Sequence, residues 1–452
     1  MNQLQTASAF LACSIVAIPA FAQWDPAAGD WGKEVATDLR VMTWNVQDGL
    51  CRSNTKTDDV NDWNALVRIV AGLEPDILIL QECGDNSGNG TGSGLDSVVQ
   101  LETVADLFIN GGTDPFNGGS VTSYTKLFKP GFDLPYVFVS TSNDGFNRNM
   151  IMSRYPIADI NGDGSAELSN FGILPDAYQT GGNGGIRGFM FAEIQLPDET
   201  YAGDIVVGNA HLKSGGTSSD YDDREQAAQN TAYYIDYYYN GAGTGVSDPN
   251  SKVILPSSGS ILDENTPVVW GGDFNQQPGA GGPAEWMTQA AVVGGTDGTD
   301  RDRTDSTIST PSQPITGDTS TQGSSSRLDY ICWQDSIAGV RRQFIYRSSG
   351  SGMTVASNPF PVTTFPISAL GASNIASDHR PVIVDFMMPL ATEDPCPSPP
   401  DYFDDDILDV FDVSFFLIAF NASDPIADIN GDSAYDIFDV FAFLDLFNAG
   451  CP

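Results

Sequence analysis

Apolar positions along the chain fall into short runs separated by polar, turn-rich stretches. "LRVMTWNV" (39–46), "DILILQE" (76–82), "YVFVST" (136–141), "NMIMS" (149–153), "GFMFAEIQL" (188–196) and "DIVVGNAHL" (204–212) have strand length and strand composition. "PVVWGGDFN" (267–275), "RLDYICW" (327–333) and "PVIVDF" (381–386) continue the series. "NDWNALVRIVAGL" (61–73) has helical spacing instead, with Trp63, Leu66, Val67 and Val70 on one face. "DDREQAAQNTAYYIDYYY" (222–239) reads as a second helix. Many strands with few helices between them predict an α/β fold of two packed β-sheets flanked by helices. The connections at 84–94, 111–120, 213–220 and 295–326 are rich in Gly, Ser, Asn and Thr and read as solvated loops.

The two ends of the chain break this pattern. Residues 1–22 carry no charged side chain, and "FLACSIVAIPAFA" (10–22) closes on the small-x-small sequence Ala20-Phe21-Ala22. The expectation is a signal peptide over 1–22, hence a secreted or cell-surface protein; the apolar run is too short to span a bilayer. No later run is long enough to span one either. "ATEDPCPSPP" (391–400) reads as a Pro-rich linker that divides a main domain, 23–390, from a tail, 401–452. That tail holds 12 Asp and no Glu, Lys or Arg. It repeats with a period of 27: "LDVFDVSFFLIAFNA" (408–422) matches "YDIFDVFAFLDLFNA" (435–449).

Charge narrows the partners. The 452 residues include 20 Lys+Arg against 59 Asp+Glu, a net charge of −39. Such a surface argues against a general affinity for bare nucleic acid or anionic membrane without metal ions, and it favours divalent cations. Cys13 would leave with the signal peptide, which leaves Cys51, Cys83, Cys332, Cys396 and Cys451. Cys51 and Cys83 each follow a strand-end motif and could lie close together. Cys396 and Cys451 bracket the tail, and Cys332, in an apolar strand, reads as a buried free thiol.

Chemistry gathers at the strand ends. The chain's only histidines, His211 in "GNAHLKSGG" and His379 in "SDHRPV", both sit there. So do Glu82, Asp273, Asp329 and Asp378. Asp273 and Asn275 are two apart, so a continuous strand would point both the same way. Any one of these carboxylates alone would read as a loop residue or a helix cap, but six such positions ending strands point to one site. The chemistry that fits is phosphoryl transfer with Mg²⁺ or Mn²⁺ held by hard oxygen ligands. An aspartate would orient water, and amides and imidazoles would donate to the phosphoryl oxygens. Zinc fits poorly, since no HExxH or paired CxxC is present.

"TWNV" (43–46), "LQE" (80–82), "NMIMSRYPI" (149–157), "NAHLKSG" (209–215), "GGDFNQQP" (271–278), "SRLDYI" (326–331) and "SDHRPV" (377–382) together resemble the endonuclease/exonuclease/phosphatase superfamily. The resemblance covers roughly 38–388 and implies the DNase I-like four-layer sandwich. It implies Glu82 as the main metal ligand, with Asn45 and Asp378 near the metal. Asp273 would position the water and Asn275 would steady the phosphoryl group. Asp329 would fix the tautomer of His379, and His211 would contact the phosphate from the opposite side. Asn209 and Arg224 would support that strand and the following helix. The His in "NAHLKSGG" and the expected export argue against repair of abasic sites. Extracellular DNA or RNA is the substrate expected first, with small or lipid phosphate esters as the alternative. A non-catalytic binding protein that keeps the fold is the competing reading.

"DINGDSAYDIFD" (428–439) places Asp428, Asn430, Asp432, Asp436 and Asp439 at the oxygen spacing of a Ca²⁺ loop, with Ser433 where glycine is usual. The first copy offers Asp401, Asp405, Asp409 and Asp412 but has Phe403 at a ligand position, so weak binding at most is expected there. The paired loops resemble a dockerin module, which implies Ca²⁺ and a cohesin-like or cell-surface docking partner. "DINGDGSAEL" (159–168) has a similar look, and it reads as a turn-rich insertion or a structural Ca²⁺ site.

Overall fold

The computed structural model describes residues 24–449 except 53–55, 57–59, 93, 142, 144, 159–167, 170–189, 225–264, 279–306, 336, 360–364, 392–399 and 403–407. The expected signal peptide, most of the linker, all of the 159–168 loop but Leu168, and Cys13, Cys396, Cys451, Phe403 and Asp405 lie outside the described residues. The chain forms two compact units that divide between Pro389 and Leu390.

The strands of the first unit run β1 (Leu39–Asn45), β2 (Ile77–Gln81), β3 (Gly112–Thr113), β4 (Ser120–Val121), β5 (Tyr136–Val139), β6 (Met150–Ser153) and β7 (Leu168–Ser169). They continue with β8 (Met190–Ile194), β9 (Ile205–His211), β10 (Val268–Asp273), β11 (Thr307–Ile308), β12 (Asp329–Trp333), β13 (Gly339–Ile345) and β14 (Val382–Met387). Two six-stranded sheets result, ordered β13-β14-β1-β2-β6-β5 and β11-β12-β10-β9-β8-β7, while β3 and β4 form a separate hairpin. The helices are α1 (Asp62–Leu73), α2 (Val98–Asn110), α3 (Tyr124–Phe128) and α4 (Ala372–Ala376).

Strand alternation builds two cores. Leu39 and Val41, Ile77 and Ile79, Ile205 and Val207, Val269, and Ile331 fill the space between the sheets. Met42, Trp44, Leu78 and Leu80 turn the other way and meet α1 and α2 through Trp63, Leu66, Val70, Leu101 and Phe108. The expected sandwich of sheets is therefore present with a helical layer on the first sheet. Of the helix expected over 222–239, only 222–224 is described; these residues are helical, in a stretch that begins earlier than expected, at 218. Thr217 Oγ1 accepts from Asp220 N, and Asp220 Oδ2 accepts from Thr217 N, a reciprocal cap that fixes the start.

Asn61 caps α1 by accepting from Asn64 N at 2.9 Å. Helix α2 was not anticipated, although Leu101, Val104, Ala105 and Phe108 recur at helical spacing and Ser97 with Gln100 forms a capping box. Strand β13 was missed as well. Its "GVRRQFI" sequence breaks the apolar pattern with two adjacent arginines, which pair with Asp38 and Glu34 at this edge of the sheet.

One buried ion pair ties the first sheet together. Arg40 and Asp385 are directly opposite on β1 and β14, with Nε–Oδ1 at 2.6 Å and Nη2–Oδ2 at 2.8 Å. Arg40 Nη1 also donates to Trp31 O and Leu73 O. Four of the five N–H donors are used, so the pair survives burial.

The second unit holds α5 (Val410–Ala422) and α6 (Ile437–Ala449), offset by the 27-residue repeat at both ends. Phe416 and Phe443, also 27 apart, stack with centroids 4.2 Å apart and planes 2° from parallel. They form its small core with Ala419 and Ala427.

Asp385→Ala leaves the Arg40 guanidinium buried without its anion and is expected to cost about 3–5 kcal/mol in urea unfolding. The paired change Arg40→Met with Asp385→Leu removes both charges and is expected to recover most of that loss. Equal losses for the single and paired changes would contradict this account of the pair.

Candidate active site

The inward-facing side chains turn polar at one end of both sheets. On β1 the sequence is Leu39, Val41, Thr43, Asn45; on β9 it is Ile205, Val207, Asn209, His211; on β10 it is Val269, Gly271, Asp273. Register then places these ends together. Asp273 is opposite His211 on β9 and opposite Asp329 on β12, and Asn45 is opposite Gln81 on β2. The glycine pair before Asp273 serves packing. A Cβ at Gly272 would lie 1.7 Å from Ala210 O, and one at Gly271 would lie 3.2 Å from the Thr43 Cβ of the opposite sheet.

Asp273 is the centre of the constellation and is buried. Its Oδ2 accepts from Asn45 Nδ2 at 3.0 Å and lies 3.5 Å from both His211 Nε2 and His379 Nε2. Its Oδ1 accepts from Asn275 N at 2.9 Å. Asn45 Nδ2 also donates to Glu82 Oε1 at 3.1 Å, and Glu82 Oε1 is 3.6 Å from His211 Nε2. Both oxygens of Asp329 contact His379 Nδ1, at 3.1 and 2.8 Å. The His379 backbone is held by Trp44 Nε1, which donates to its carbonyl, and by Ser377 Oγ, which accepts from its N–H.

The sequence-expected residues fall in different places. Asn45, Glu82, His211, Asp273, Asp329 and His379 converge through these contacts. Asn275 does not point along the strand with Asp273. The strand ends at Asp273, Asn275 takes a φ of 52°, and its side chain donates to Leu212 O at 3.0 Å. The left-handed turn broke the two-residue alternation on which that expectation rested. Glu82 likewise follows the end of β2, with a φ of 55°. Asp378 lies exposed at the rim, where Gln322 Nε2 donates to its Oδ2 and its N–H donates to Gln47 Oε1. Arg224 supports the loop after β9 by donating to Lys213 O, Gly215 O and Gln276 Oε1. Asn209 is fully buried below the site.

Two neighbours were not anticipated. Asp48 sits beside Glu82 and receives a hydrogen bond from Asn147 Nδ2. Gln47 and Asp48 both have positive φ, at 48° and 63°. The "VQDG" turn was the available signal, since a polar pair before glycine favours such a conformation.

Electrostatics follow from burial. Desolvation raises Asp273 to about 7, against the lowering effect of the His379 charge and with Asp329 adding to the rise. Burial alone would lower His379, but Asp329 and Asp273 overcome it and raise the imidazole to about 10. Asp48 is raised to about 6, chiefly by burial, with Glu82 contributing. Three carboxylates thus share this space with an imidazolium held by Asp329. Asp273, Asp329 and His379 are the tightest group of possible ligand atoms among the described residues, all within 4.8 Å. Both Asp329 oxygens already face His379, whereas the Glu82 side chain keeps 19% exposure. A hard divalent cation suits this carboxylate-rich, negatively charged setting, and Glu82 is more open to it than Asp273 or Asp329.

Cys51, Cys83 and Cys332 are buried free thiols, with Cys51 and Cys83 in the core behind the first sheet.

The chain matches the Endonuclease/Exonuclease/phosphatase family over residues 42–379. Solved structures with a similar fold include an endonuclease/exonuclease/phosphatase from Beutenbergia cavernae DSM 12333, at 15% identity over 78% of this chain and 72% of that one, TM-score 0.43. A mannosyl-6-phosphatase from Bacteroides thetaiotaomicron aligns at 14% identity over 77% of this chain and 100% of that one, TM-score 0.41. D. rerio TDP2 complexed with a single-strand DNA product aligns at 12% identity over 78% and 99%, TM-score 0.40. No curated protein matches. The span 42–379 runs from the strand that carries Asn45 to His379 itself, and the chain belongs to the endonuclease/exonuclease/phosphatase family of phosphoesterases.

Proposed function

We propose that the chain is a secreted, divalent-metal-dependent phosphodiesterase that hydrolyses extracellular nucleic acid by in-line attack of water. The observation that carries the hydrolytic reading is the convergence of both imidazoles on Asp273 Oδ2 at 3.5 Å, with Glu82 alongside. Glu82, with Asn45 beside it, would hold Mg²⁺ or Mn²⁺, and Asp378 would have to swing in from the rim to reach the ion. The ion supplies charge that stabilises the phosphoryl group and the leaving oxygen. Asp273 orients the water and takes its proton. His379, kept protonated by Asp329, donates from Nε2 to a phosphoryl oxygen, and His211 donates from the other side. Asn275 acts through its backbone N–H, which holds Asp273 Oδ1. Export rests on the apolar, uncharged residues 1–22.

A second substrate reading, a small or lipid phosphate ester, is favoured by the state of the nearby cations. Arg52 is paired with Asp62, Lys213 with Asp220 and Arg380 with Asp318. Such paired side chains give a long polyanion little to track along.

The tail supports a calcium-dependent docking module. In the 428–439 loop, Ser433 adopts a φ of 65°, the conformation that glycine usually supplies there. Asp428, Asn430 and Asp432 accept loop N–H bonds, and Asp439 is buried beneath them. Phe411, Ile418 and Phe438 stay more than 60% exposed, a surface suited to a cohesin-like or cell-surface partner.

Purified protein with Mg²⁺ is expected to cleave plasmid DNA or RNA in preference to a phosphomonoester and a phospholipid. EDTA and Glu82→Ala are each expected to abolish the activity. Preference for the monoester or lipid would move the assignment to the second reading, and metal-independent cleavage would overturn the mechanism.

The pH profile carries a sign. Asp273 must be ionised to take a proton, and its burial-raised value of about 7 means that the active form is lost as pH falls through that value. The rate at low metal is therefore expected to rise with pH across about 7. Higher Mg²⁺ should shift that limb to lower pH, because a nearby cation favours the carboxylate. A limb that ignores metal concentration would contradict the placement of the ion beside Asp273.

Calorimetry is expected to find one Ca²⁺ site lost in Asp428→Ala/Asp432→Ala. Unchanged Ca²⁺ uptake would remove the calcium-loop reading of the tail.

A further inference from the structure

The catalytic constellation is divided between two sheets. Asn45 and Glu82 come from the first, through β1 and the end of β2, whereas His211, Asp273 and Asp329 come from the second. Covalent structure does not fix the distance between these halves locally. Apolar packing below the site sets it only to the tolerance of side chains that can slide. Something must hold the separation within the tolerance of a reacting geometry.

One layer below the site, the side chains change from apolar to amide. Gln81 and Asn209 are both fully buried. Gln81 Nε2 donates to Asn209 Oδ1 at 2.9 Å, across the gap between the sheets, and to Thr43 Oγ1 on its own sheet at 3.2 Å. Asn209 Nδ2 donates back across the gap to Leu80 O at 2.8 Å and Met150 O at 2.9 Å. Leu80 and Met150 are register partners on β2 and β6. One amide of the second sheet therefore grips two strands of the first. These bonds are directional and buried, so they define a distance where dispersion contacts do not.

Each member is coupled to a reacting side chain by one or two residues of strand. Gln81 precedes Glu82 and pairs in register with Asn45. Asn209 is two residues from His211 on the same face, and its partner Gly271 is two residues from Asp273. Gly271 leaves room for this approach: its missing Cβ would stand 3.2 Å from Thr43 Cβ.

We infer that Gln81 and Asn209 form an inter-sheet clasp that positions Glu82 and Asn45 against Asp273 and His211. They are positioning residues, and neither touches the reacting atoms. The inference rests on the metal-dependent reading above and names how that site is held in register. Its structural signature is an effect on metal affinity and turnover that exceeds its effect on folding.

The test uses the full chain with Gln81→Met, Asn209→Leu, the double variant, and Ile79→Val as a control one layer deeper on the same face. Mn²⁺ affinity at the site is measured by titration, with Glu82→Ala as the blank that subtracts uptake elsewhere. Turnover is followed on the ester the wild type cleaves, well below each variant's melting temperature. Gln81→Met and Asn209→Leu are expected to weaken Mn²⁺ binding about tenfold and to lower kcat about 100-fold with little change in KM. The double variant should be no worse than the poorer single one, because each change opens the same clasp. Ile79→Val should lose stability while keeping both readouts. If Gln81→Met does not fold, Gln81→Asn keeps an amide on a shorter arm and should show the same losses. Folded variants with wild-type Mn²⁺ affinity and kcat, or losses that match Ile79→Val, overturn the clasp alone. A wild type whose Mn²⁺ uptake and turnover both ignore Glu82→Ala overturns the functional reading, and the clasp with it.

Discussion

The structure turns on a carboxylate that has lost its water. Asp273 ends a buried strand, so its charge must be met by neighbours rather than by solvent. Those neighbours come from both sheets: Asn45 from one, and His211 and the Asn275 N–H from the other, with His379 completing the ring. Each contact is partial. Burial still holds the carboxyl at about 7, so the residual field invites a further positive charge. That imbalance is why the proposed mechanism gives Asp273 the part of the base, with a cation nearby. Asp329 solves the companion problem by keeping His379 charged in a setting that would otherwise deprotonate it.

Much of this was legible in the sequence because strand alternation carries it. An inward face that reads Val41, Thr43, Asn45 or Val207, Asn209, His211 announces a core that becomes a site at one end. The strands of both sheets, except the short β7 and β11 and the edge strand β13, were visible as apolar runs, and so were the residues that end them. What escaped was set by backbone turns and by long-range partners. Asn275 was expected beside Asp273, but two residues past a strand end the chain had already entered a left-handed turn. Asp378, adjacent to His379, faces the rim, since neighbours along an extended segment point opposite ways. Gln81 lies inside the quoted "LQE" yet gave no hint of a role, because its partner, Asn209, is 128 residues away and in another sheet.

The tail shows a different kind of legibility. A repeat of 27 residues predicts two equivalent helices, and the helices share that offset at both ends. Symmetry then dictates the core, where Phe416 stacks on its own counterpart, Phe443. Among the described residues, four buried apolar side chains make a thin core, and the two helices leave many apolar side chains in the open. A unit of that size gains much from a bound ion or a partner.

The central claim is that water attacks phosphorus with help from a metal held at Glu82. Hydrolysis of a phosphodiester in ¹⁸O-labelled water tests it most directly, with the products resolved by mass spectrometry. The account predicts one labelled oxygen in the phosphoryl product, none in the released alcohol, and no incorporation in either for Glu82→Ala or without divalent metal. Label in the alcohol, or incorporation at the wild-type rate in Glu82→Ala, would contradict it.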